Sequence, residues 1–595
     1  MRRTAGRRPS SREEVVRHRR RISAVRLRVG IILVAVIVSF FGARLFQLQG
    51  IDPGSYASMS RERGLETEIL PARRGAILDR NGAPLAESVD GLMVVADPLE
   101  TRPHATTIAR LIADELGVDY FEVLGRLQRE DTRFQYIARR VPAAIARRVV
   151  EKVTDAGYKG LSTRRDPVRD YPARDVAANL LGFTGAEGQA MGGLELAFDD
   201  YLQGVDGKAT YEVGAGGARL PLGDNSIEQP RDGKDLRLTI DSDVQWYVQR
   251  VLRQTVEKSG GESGAAVALD VRTGQVLALA DHPTFDAANP LVSPEEDLGS
   301  RALSDVYEPG SVQKVLTAGA LIDAGKVTPR TKITVPGELP RADRVINDYW
   351  DHGRLRLTMA GVLAKSSNIG TVLAADELTS EELRDYLSAF GLGARTGVGI
   401  GGEARGLLPK AENWRPINHD TISFGQGVSV NVLQMAAAVN AIANGGVYVS
   451  PSLVQGSAVD AHGNHIGTDH ARTTRVISEE AARATAEMME AVTRAEGGTA
   501  PAAAIEGYRV AGKTGTAQRV DTECGCYRGF TVSFAGFAPA DDPRFVVYVV
   551  VQDPSNGGGG GSIGGPAFRQ ITSFLLRKYA VPPTGARPSR LPLEW

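Results

Sequence analysis

Residues 307–316 read YEPGSVQKVL, a stretch that places a serine directly behind a Pro-Gly pair and three positions before a lysine. Proline and glycine interrupt the preceding structure, and the apolar residues after Lys314 predict the start of a buried helix. Because positions three apart share one helix face, Ser311 and Lys314 are expected to project side by side. A serine hydroxyl beside an amine can form an activated nucleophile. An isolated Ser-x-x-Lys is a weak motif, and a capping serine with a solvated lysine explains it more often.

Two further short motifs follow in the chain. SSN at 366–368 lies between two helical stretches, and KTGT at 513–516 lies on an expected strand. Each motif is weak by itself. The three motifs, in this order and on a helix, a loop and a strand, match the S-x-x-K, S-D-N-like and K-T-G triplet of penicillin-binding proteins and serine β-lactamases. The set therefore outweighs the capping interpretation of Ser311.

Three other patterns suggest different chemistry, and their context argues against each. GYRVAGKT at 507–514 matches a phosphate-binding loop, but its residues alternate as a strand and no helix follows. GGSIG at 560–564 matches a hydrolase elbow, which needs a later histidine, and no histidine follows Ser562. HGNH at 462–465 lies in a polar stretch with no obvious third ligand. We therefore expect no metal site and no cofactor.

The length and charge of the chain limit the architectures that it can adopt. A chain of 595 residues is too long for a single core and is expected to contain two or three domains. The net charge of -1 gives no indication of nucleic-acid binding. The charge is unevenly distributed, because residues 1–28 contain eleven arginines against two glutamates, a net charge of about +9.

A hydrophobic segment, VGIILVAVIVSFFGA at 29–43, follows this basic tail directly. Its fifteen residues fall short of the ~20 that span a bilayer. Residues 29–48 reach that length if Arg44 extends to the interface. A cleaved signal peptide would need a convincing cleavage site, and a buried core helix would need a less basic neighbour. We expect a single uncleaved anchor, with residues 1–28 in the cytoplasm and the catalytic region outside.

The rest of the chain is expected to form two regions. The first begins with a hairpin around Asn81-Gly82, and 104–157 is expected to be helical. The second opens with two strands around Arg272-Thr273-Gly274, continues with helices and closes with strands, of which 545–553 is the clearest, and a final helix. Strands at both ends with helices between them predict an α+β fold, in which one antiparallel sheet packs against a helical subdomain.

The chain contains two cysteines, Cys524 and Cys526. One intervening residue is too few for a zinc half-site without a second pair elsewhere. A disulfide is permitted outside the cytoplasm. The sequence leaves open whether the two thiols are bridged, and we expect no catalytic role for them.

Longer stretches resemble one family. RGAILDRNG (74–82), RDYP (169–172) and GGLELAFDDYLQG (192–204) resemble the N-terminal module of class B penicillin-binding proteins. YEPGSVQK, FGQGVSVNVLQMAAAVNAIANGG and AGKTGTAQ resemble the transpeptidase domain of the same family. The last third is similar to FtsI-type septal enzymes of actinobacteria. The departures are small: Ser300 stands where many relatives have asparagine, and Gln313 is unusual inside the first motif.

The resemblance implies an architecture in four parts. Residues 1–28 would be a cytoplasmic basic tail and 29–48 a single transmembrane helix. Residues 49–235 would be a non-catalytic, β-rich split pedestal domain of the dimerisation type with a helical insert. Residues 236–595 would be a penicillin-binding/serine β-lactamase-like transpeptidase domain.

The resemblance also implies a peptidoglycan D,D-transpeptidase that cross-links stem peptides through a serine acyl-enzyme and that β-lactams acylate. Ser311 would attack the penultimate D-Ala carbonyl, and burial together with the nearby Lys513 cation would lower the pKa of Lys314 so that its amine serves as the base. Ser366 would relay the proton to the leaving amine. The implied catalytic residues are Ser311, Lys314, Ser366, Asn368 and Lys513, and the implied substrate-binding residues are Thr514, Gly515 and Thr516.

The implied biological role is septal wall synthesis during cell division, with an elongation or sporulation enzyme as the alternative. A membrane-anchored β-lactamase of class A would need a glutamate loop that is not found between the second and third motifs. A β-lactam sensor would need a larger cytoplasmic effector than 1–28, and a silent scaffold would not need every catalytic position filled. The expected partners are stem peptides, β-lactam antibiotics, a membrane glycosyltransferase of the SEDS type and other division proteins, without nucleic acid.

Overall fold

The computed structural model describes residues 12–47, 65–130, 132–185, 187–212, 225–494, 496–521 and 524–595, which fall into two compact units. The first unit comprises Met1–Leu70 and Asp206–Pro230. Its helix, Arg12–Phe46, includes the apolar stretch Ala24–Phe46, whose 23 residues are enough to cross a membrane. Its antiparallel sheet has the strand order Leu65–Leu70, Gly207–Glu212, Ser226–Glu228. Residues 1–11 of the expected tail and residue 48 of the expected anchor lie outside the described residues.

The second unit comprises Pro71–Val205 and Arg231–Trp595. Its N-terminal part holds a four-stranded sheet of order Leu236–Arg237, Ile77–Leu78, Pro84–Val89, Val168–Asp170. A three-stranded sheet of order Gln135–Pro142, Gly91–Ala96, Leu161–Arg165 packs against helices Ala105–Leu116, Tyr120–Leu127 and Ala143–Asp155. Shorter helices cover Pro98–Thr101, Ala178–Leu181, Gly193–Ala197 and Asp199–Leu202.

One secondary-structure expectation for this part is wrong. Within 104–157, which was expected to be helical, Gln135–Pro142 forms a strand that pairs antiparallel with Gly91–Ala96. The buried side chains of Ile137 and Val141 face the core that the neighbouring helices cover. The paired residues are 39 to 51 positions apart in the chain, so local periodicity does not reveal the pairing. The expected hairpin is present, with Gly82 in its turn at a φ of 89°.

The C-terminal part of the second unit is organised around a five-stranded antiparallel sheet. We label its strands β1 (Ser263–Asp270), β2 (Val276–His282), β3 (Ala511–Asp521), β4 (Cys526–Ala538) and β5 (Phe545–Gln552). Their order in the sheet is β2-β1-β5-β4-β3. The expected α+β fold is thereby confirmed, since strands from both ends of this region share one sheet. Strand β3, which carries the third motif, lies at the sheet edge.

Helices cover both faces of this sheet, and others pack behind them. In chain order the helices of this part are α1 (Ser242–Ser259), α2 (Gln313–Asp323), α3 (Met359–Lys365), α4 (Asn368–Ala375), α5 (Ser380–Ala389), α6 (Pro416–Ser423), α7 (Val432–Ala443), α8 (Glu479–Glu490) and α9 (Gly564–Lys578). A short helix covers Arg301–Ser304, and four two-stranded ribbons pair Lys332–Val335 with Leu355–Thr358, Leu339–Arg341 with Arg344–Ile346, Val447–Val449 with Thr473–Arg475, and Ala458–Val459 with His465–Ile466.

The sequence of β5, FVVYVVVQ, is apolar almost throughout because both of its faces are buried. Phe545, Val547, Val549 and Val551 pack with α1 and α9. The alternate side chains, including Tyr548, belong to a second core that contains α2, α7 and α8. The sheet therefore separates two hydrophobic cores, and α2 and its neighbours form the helical subdomain on one side.

A buried carboxylate joins the three family-like stretches of the N-terminal part. Glu195 is fully buried, and it accepts hydrogen bonds from Arg74 Nε at 2.6 Å and from Arg169 Nε at 2.7 Å. Arg74 also bonds Asp199 at 2.5 Å, and Arg169 donates to the Gly75 carbonyl at 2.8 Å. Because both guanidinium groups bond Glu195 and Arg169 also bonds Gly75, this cluster ties 74–82, 169–172 and 192–204 together.

Replacing Glu195 with alanine is expected to destabilise the protein by roughly 3–5 kcal/mol, because two buried guanidinium groups lose their shared acceptor. Calorimetric unfolding of the wild type and the variant measures the effect. Glu187→Ala is the control, since Glu187 is 70% exposed and pairs with Arg139 at the surface, where a loss of about 0–1 kcal/mol is expected. Equal unfolding of Glu195→Ala and Glu187→Ala would contradict this role of the buried cluster.

Candidate functional site

Ser311 lies in a single 3-10 turn, Gly310–Val312, that continues directly into α2. Gly310 has a φ of 53°, and its N–H donates to the Gly425 carbonyl at 3.0 Å. A Cβ on Gly425 would lie 2.1 Å from the Gly310 oxygen, so the close approach of these two loops requires glycine. Lys314 follows one turn later with 1% of its surface exposed. The prediction that Ser311 and Lys314 lie at the start of a buried helix is confirmed.

The second motif forms a break between α3 and α4. Ser366 ends α3 with a φ of 59°, a left-handed conformation that costs a non-glycine residue roughly 1–2 kcal/mol. The N–H groups of Ser366 and Ser367 donate to the carbonyls of Leu363 and Val362 at 3.2 and 3.0 Å. Lys314 Nζ donates to the Ser366 carbonyl at 2.6 Å, which helps to hold this conformation. The expected position of the second motif between two helical stretches is confirmed.

The two lysines of the first and third motifs meet at the hydroxyl of the second. Lys513 Nζ donates to Ser366 Oγ at 2.8 Å, and Lys314 Nζ lies 3.4 Å from the same oxygen. Lys314 Nζ also donates to Asn368 Oδ1 at 2.7 Å. Side chains that are up to about 200 positions apart in sequence thus form one hydrogen-bonded cluster.

The two amines are almost completely removed from solvent. Burial lowers the pKa of Lys314 to about 7, and the carboxylate of Asp348 partly opposes this effect. Burial lowers the pKa of Lys513 well below its usual value, and repulsion from Lys314 is the smaller cause in the same direction. The expected lowering of the Lys314 pKa is present, and burial is its largest cause. Two adjacent buried ammonium groups repel one another, so the cluster favours a state with a neutral amine.

A cavity of about 350 Å³ lies above this cluster. Its wall consists of Ser311, Tyr349, Ser366, Asn368, Thr499, Thr514, Thr516, Gly559, Gly560 and Gly561. Five of these residues were singled out from the sequence. Gly515 faces away from the cavity, because a Cβ there would lie 2.2 Å from Ser533 Oγ and 3.0 Å from Val312. Its lack of a side chain allows β3 to pack closely against its neighbours.

Several parts of the cavity wall were not identified from the sequence. Thr499 Oγ1 lies 3.1 Å from Thr514 Oγ1, and no local motif marks Thr499. The glycine run 557–561 is another part of this wall, and Gly560 packs so closely that a Cβ would lie 2.2 Å from the Ser533 carbonyl oxygen. A run of glycines was itself a signal that another backbone approaches closely, and the sequence interpretation did not use it.

The segment 589–595 supports the helix that carries Ser366. Its carbonyls at Pro592 and Leu593 accept from the hydroxyl and the N–H of Thr358 at 2.6 and 3.0 Å. Trp595 Nε1 donates to the Leu357 carbonyl at 3.1 Å. A Cβ on Gly361 would lie 1.9 Å from the Leu593 oxygen, so the segment lies directly on α3. These contacts fix the start of α3, and through it the position of the second motif.

The structure also shows what two further sequence patterns form, the phosphate-binding match at 507–514 and the cysteine pair. Ala511–Asp521 is a strand, so residues 507–514 do not form the loop-to-helix geometry that a phosphate-binding motif requires. Cys524 and Cys526 form a disulfide at the turn between β3 and β4. The bridge, one of the two alternatives for these thiols, is therefore present.

Two family models match the chain. The penicillin-binding protein dimerisation domain matches residues 69–238, and the penicillin binding protein transpeptidase domain matches residues 264–573. Penicillin-binding protein PbpB of Mycolicibacterium smegmatis is 34% identical over 594 residues, which cover 94% of this chain and 91% of the relative. Peptidoglycan D,D-transpeptidase FtsI of Escherichia coli is 33% identical over 561 residues, which cover 93% of this chain and 91% of the relative.

Solved structures show the same similarity. A peptidoglycan synthetase from Bifidobacterium adolescentis has a TM-score of 0.71 at 32% identity and covers 89% of this chain and 100% of its own. Penicillin binding protein 3 from Mycobacterium tuberculosis, complexed with aztreonam, has a TM-score of 0.68 at 31% identity with the same coverage. Both matched domains and identities above 30% over most of the chain confirm the resemblance drawn from the motifs. The chain belongs to the class B penicillin-binding proteins, with a dimerisation domain and a transpeptidase domain.

Proposed function

We propose that Ser311 is the nucleophile with which this peptidoglycan D,D-transpeptidase cross-links stem peptides in septal wall synthesis. The observation that carries the proposal is the Ser366 hydroxyl between two buried lysines, in the same cavity as Ser311. A serine needs a base to become nucleophilic, and a buried amine with a pKa of about 7 is a base at neutral pH. The relatives named PbpB and FtsI support the septal assignment, with an elongation or sporulation enzyme as the alternative.

The acylation step follows from this arrangement. Ser311 Oγ attacks the penultimate D-Ala carbonyl carbon while its proton passes to the neutral amine of Lys314. The bond from that carbon to the nitrogen of the last D-Ala then breaks. The leaving nitrogen takes up a proton through Ser366 Oγ, which both lysines approach, and free D-Ala departs. The stem peptide remains attached to Ser311 as an ester.

The second step reverses these proton movements. The amine of a neighbouring stem peptide attacks the ester carbonyl, and its proton passes through the same lysine–serine cluster to Ser311 Oγ. The new peptide bond is the cross-link, and Ser311 is regenerated as a neutral hydroxyl. Asn368 orients the amine of Lys314. Its Oδ1 accepts a hydrogen bond from Lys314 Nζ, and its Nδ2 donates to the Asn347 carbonyl at 2.9 Å.

Substrate binding is proposed for the edge of the sheet. The hydroxyls of Thr514 and Thr516 line the cavity and can donate to the terminal carboxylate of the peptide, and the charge of that carboxylate would favour the protonated form of Lys513 beneath them. Gly515 contributes its backbone. Because β3 is an edge strand, an extended stem peptide can pair with it. The backbone N–H groups of Ser311 and Thr516 are proposed to stabilise the developing oxyanion. A β-lactam would acylate Ser311 by the same contacts.

We also propose a single-pass topology with residues 1–28 in the cytoplasm, because the arginines of this segment favour that side of the membrane. Residues 29–48 would then be the anchor, 49–235 the pedestal and 236–595 the transpeptidase domain; the matched ranges 69–238 and 264–573 support this division. A SEDS-type glycosyltransferase and other division proteins are the proposed membrane partners, since a transpeptidase needs newly made glycan strands as its substrate.

Fluorescent penicillin tests the nucleophile. The wild type is expected to acquire a covalent label that persists for hours, and Ser311→Ala is expected to acquire none. Gel fluorescence over time measures the label. Ser562→Ala is the matched control, because Ser562 belongs to the other serine motif and is expected to label like the wild type. Labelling of Ser311→Ala would identify a different nucleophile, and a wild-type label lost within seconds would indicate a β-lactamase.

The pH dependence of acylation tests the base. The rate constant for acylation of the wild type is expected to rise about tenfold from pH 6 to pH 8, because Lys314, with a pKa of about 7, must be neutral to accept the Ser311 proton. Stopped-flow acylation by a chromogenic β-lactam measures it. A rate constant that is flat or falls over this interval would show that Lys314 is not the base.

A further inference from the structure

Asp348 carries a carboxylate that takes no direct part in the proposed acylation steps. It is fully buried and lies directly beside the second motif. Its Oδ1 accepts from the backbone N–H groups of Asn368 and Ile369 at 2.5 and 3.1 Å. Its Oδ2 accepts from Ser367 Oγ at 2.7 Å and lies 2.9 Å from His352 Nε2. The two N–H groups and the Ser367 hydroxyl donate to the carboxylate, and the role of His352 Nε2 depends on the tautomer of its ring.

These contacts hold Asn368 in place, and the side chain of Asn368 accepts a hydrogen bond from Lys314. The Asp348 carboxylate caps the first turn of α4, which begins at Asn368. Asn368 in turn accepts the Lys314 amine at 2.7 Å, and Ser366, two positions earlier, accepts it at its carbonyl. The central residue of the second motif is Ser367, which carries no charge of its own. Asp348, from the separate segment 347–352, places a carboxylate next to Ser367.

The charges around Lys314 come from two sides. Strand β3 presents Lys513, and the segment 347–352 presents Asp348, whose charge favours the protonated form of Lys314. Tyr349 and His352 are the other titratable groups beside Asp348, and burial together with the Asp348 charge raises the pKa of Tyr349. Without the Asp348 charge, Lys314 would face Lys513 alone, and its amine would become harder to protonate.

We propose that Asp348 is a positioning residue of the transpeptidase reaction. Its carboxylate holds the turn from Ser366 to Asn368 against Lys314, and its negative charge assists Lys314 in taking up the Ser311 proton. This inference rests on the proposed roles of Ser311 and Lys314. It assigns a catalytic contribution to a residue that touches neither the substrate nor the nucleophile, and it predicts a signature that a structural role alone would lack.

The test measures the acylation rate constant against pH for the full chain with a fluorescent penicillin. For Asp348→Asn we expect a plateau lowered about tenfold or more, and an acidic midpoint about half a pH unit or more lower, because the amine of Lys314 loses its proton more easily. Asp348→Glu keeps the charge but displaces it, so its plateau should fall without a downward shift of the midpoint. Asp351→Asn is the matched control on the same segment; its side chain is exposed, and neither value should change.

Several results would overturn the inference. A wild-type plateau for Asp348→Asn would show that the carboxylate does not position the motif, and a lowered plateau with an unmoved midpoint would leave only a structural role. If Asp348→Asn does not fold, Ser367→Ala removes one donor and keeps the charge. Its plateau should then fall about threefold or more with an unmoved midpoint, and a wild-type plateau would overturn the inference. A wild type that acquires no label at Ser311 would instead refute the proposed function.

Discussion

The burial of two amines around one hydroxyl is the constraint on which the rest of the site depends. Lys314 and Lys513 have almost no exposed surface, and Ser366 Oγ lies within 3.4 Å of both. Burying a cation without a directly bonded anion is costly, so such an arrangement persists only where the surrounding structure is rigid. That cost is also what makes the amines useful, because it brings a lysine into the range in which it can accept a proton at neutral pH.

The fold provides this rigidity from three directions. Helix α2 is enclosed by the helical subdomain and places Lys314 beneath the cavity, while β3 brings Lys513 from the sheet edge. The break between α3 and α4 brings Ser366 between them in a left-handed conformation. The segment 589–595 holds α3 at its start, and Asp348 holds α4 at its start, so both helices that flank the break are fixed.

The buried charges of the N-terminal part differ from the lysine pair because they bond directly to groups of opposite charge. Glu195 is paired directly with the guanidinium groups of Arg74 and Arg169, so each of these buried charges has an opposite charge within hydrogen-bond distance. The lysine pair has Asp348 nearby, but the two amines bond only to neutral oxygens of Ser366, Asn368 and Thr514 among the described residues. A neutralised cluster stabilises structure, whereas a pair of amines that share neutral acceptors is suited to moving a proton.

The sequence by itself determined the fold class, the family and the three motifs, because each depends on local chemistry: a Pro-Gly break before Ser311, alternation along β3, and a continuous apolar run in β5. It did not predict the strand at Gln135–Pro142, nor the contributions of Thr499, Asp348, the glycine run and 589–595. Each of these depends on a partner that is distant in the chain, and of these features only the glycine run carried a local signal. The lowered pKa of Lys314 was expected from the resemblance, but only the tertiary structure decided which elements exclude solvent from its amine, because that exclusion is a property of the packed subdomain and not of the motif.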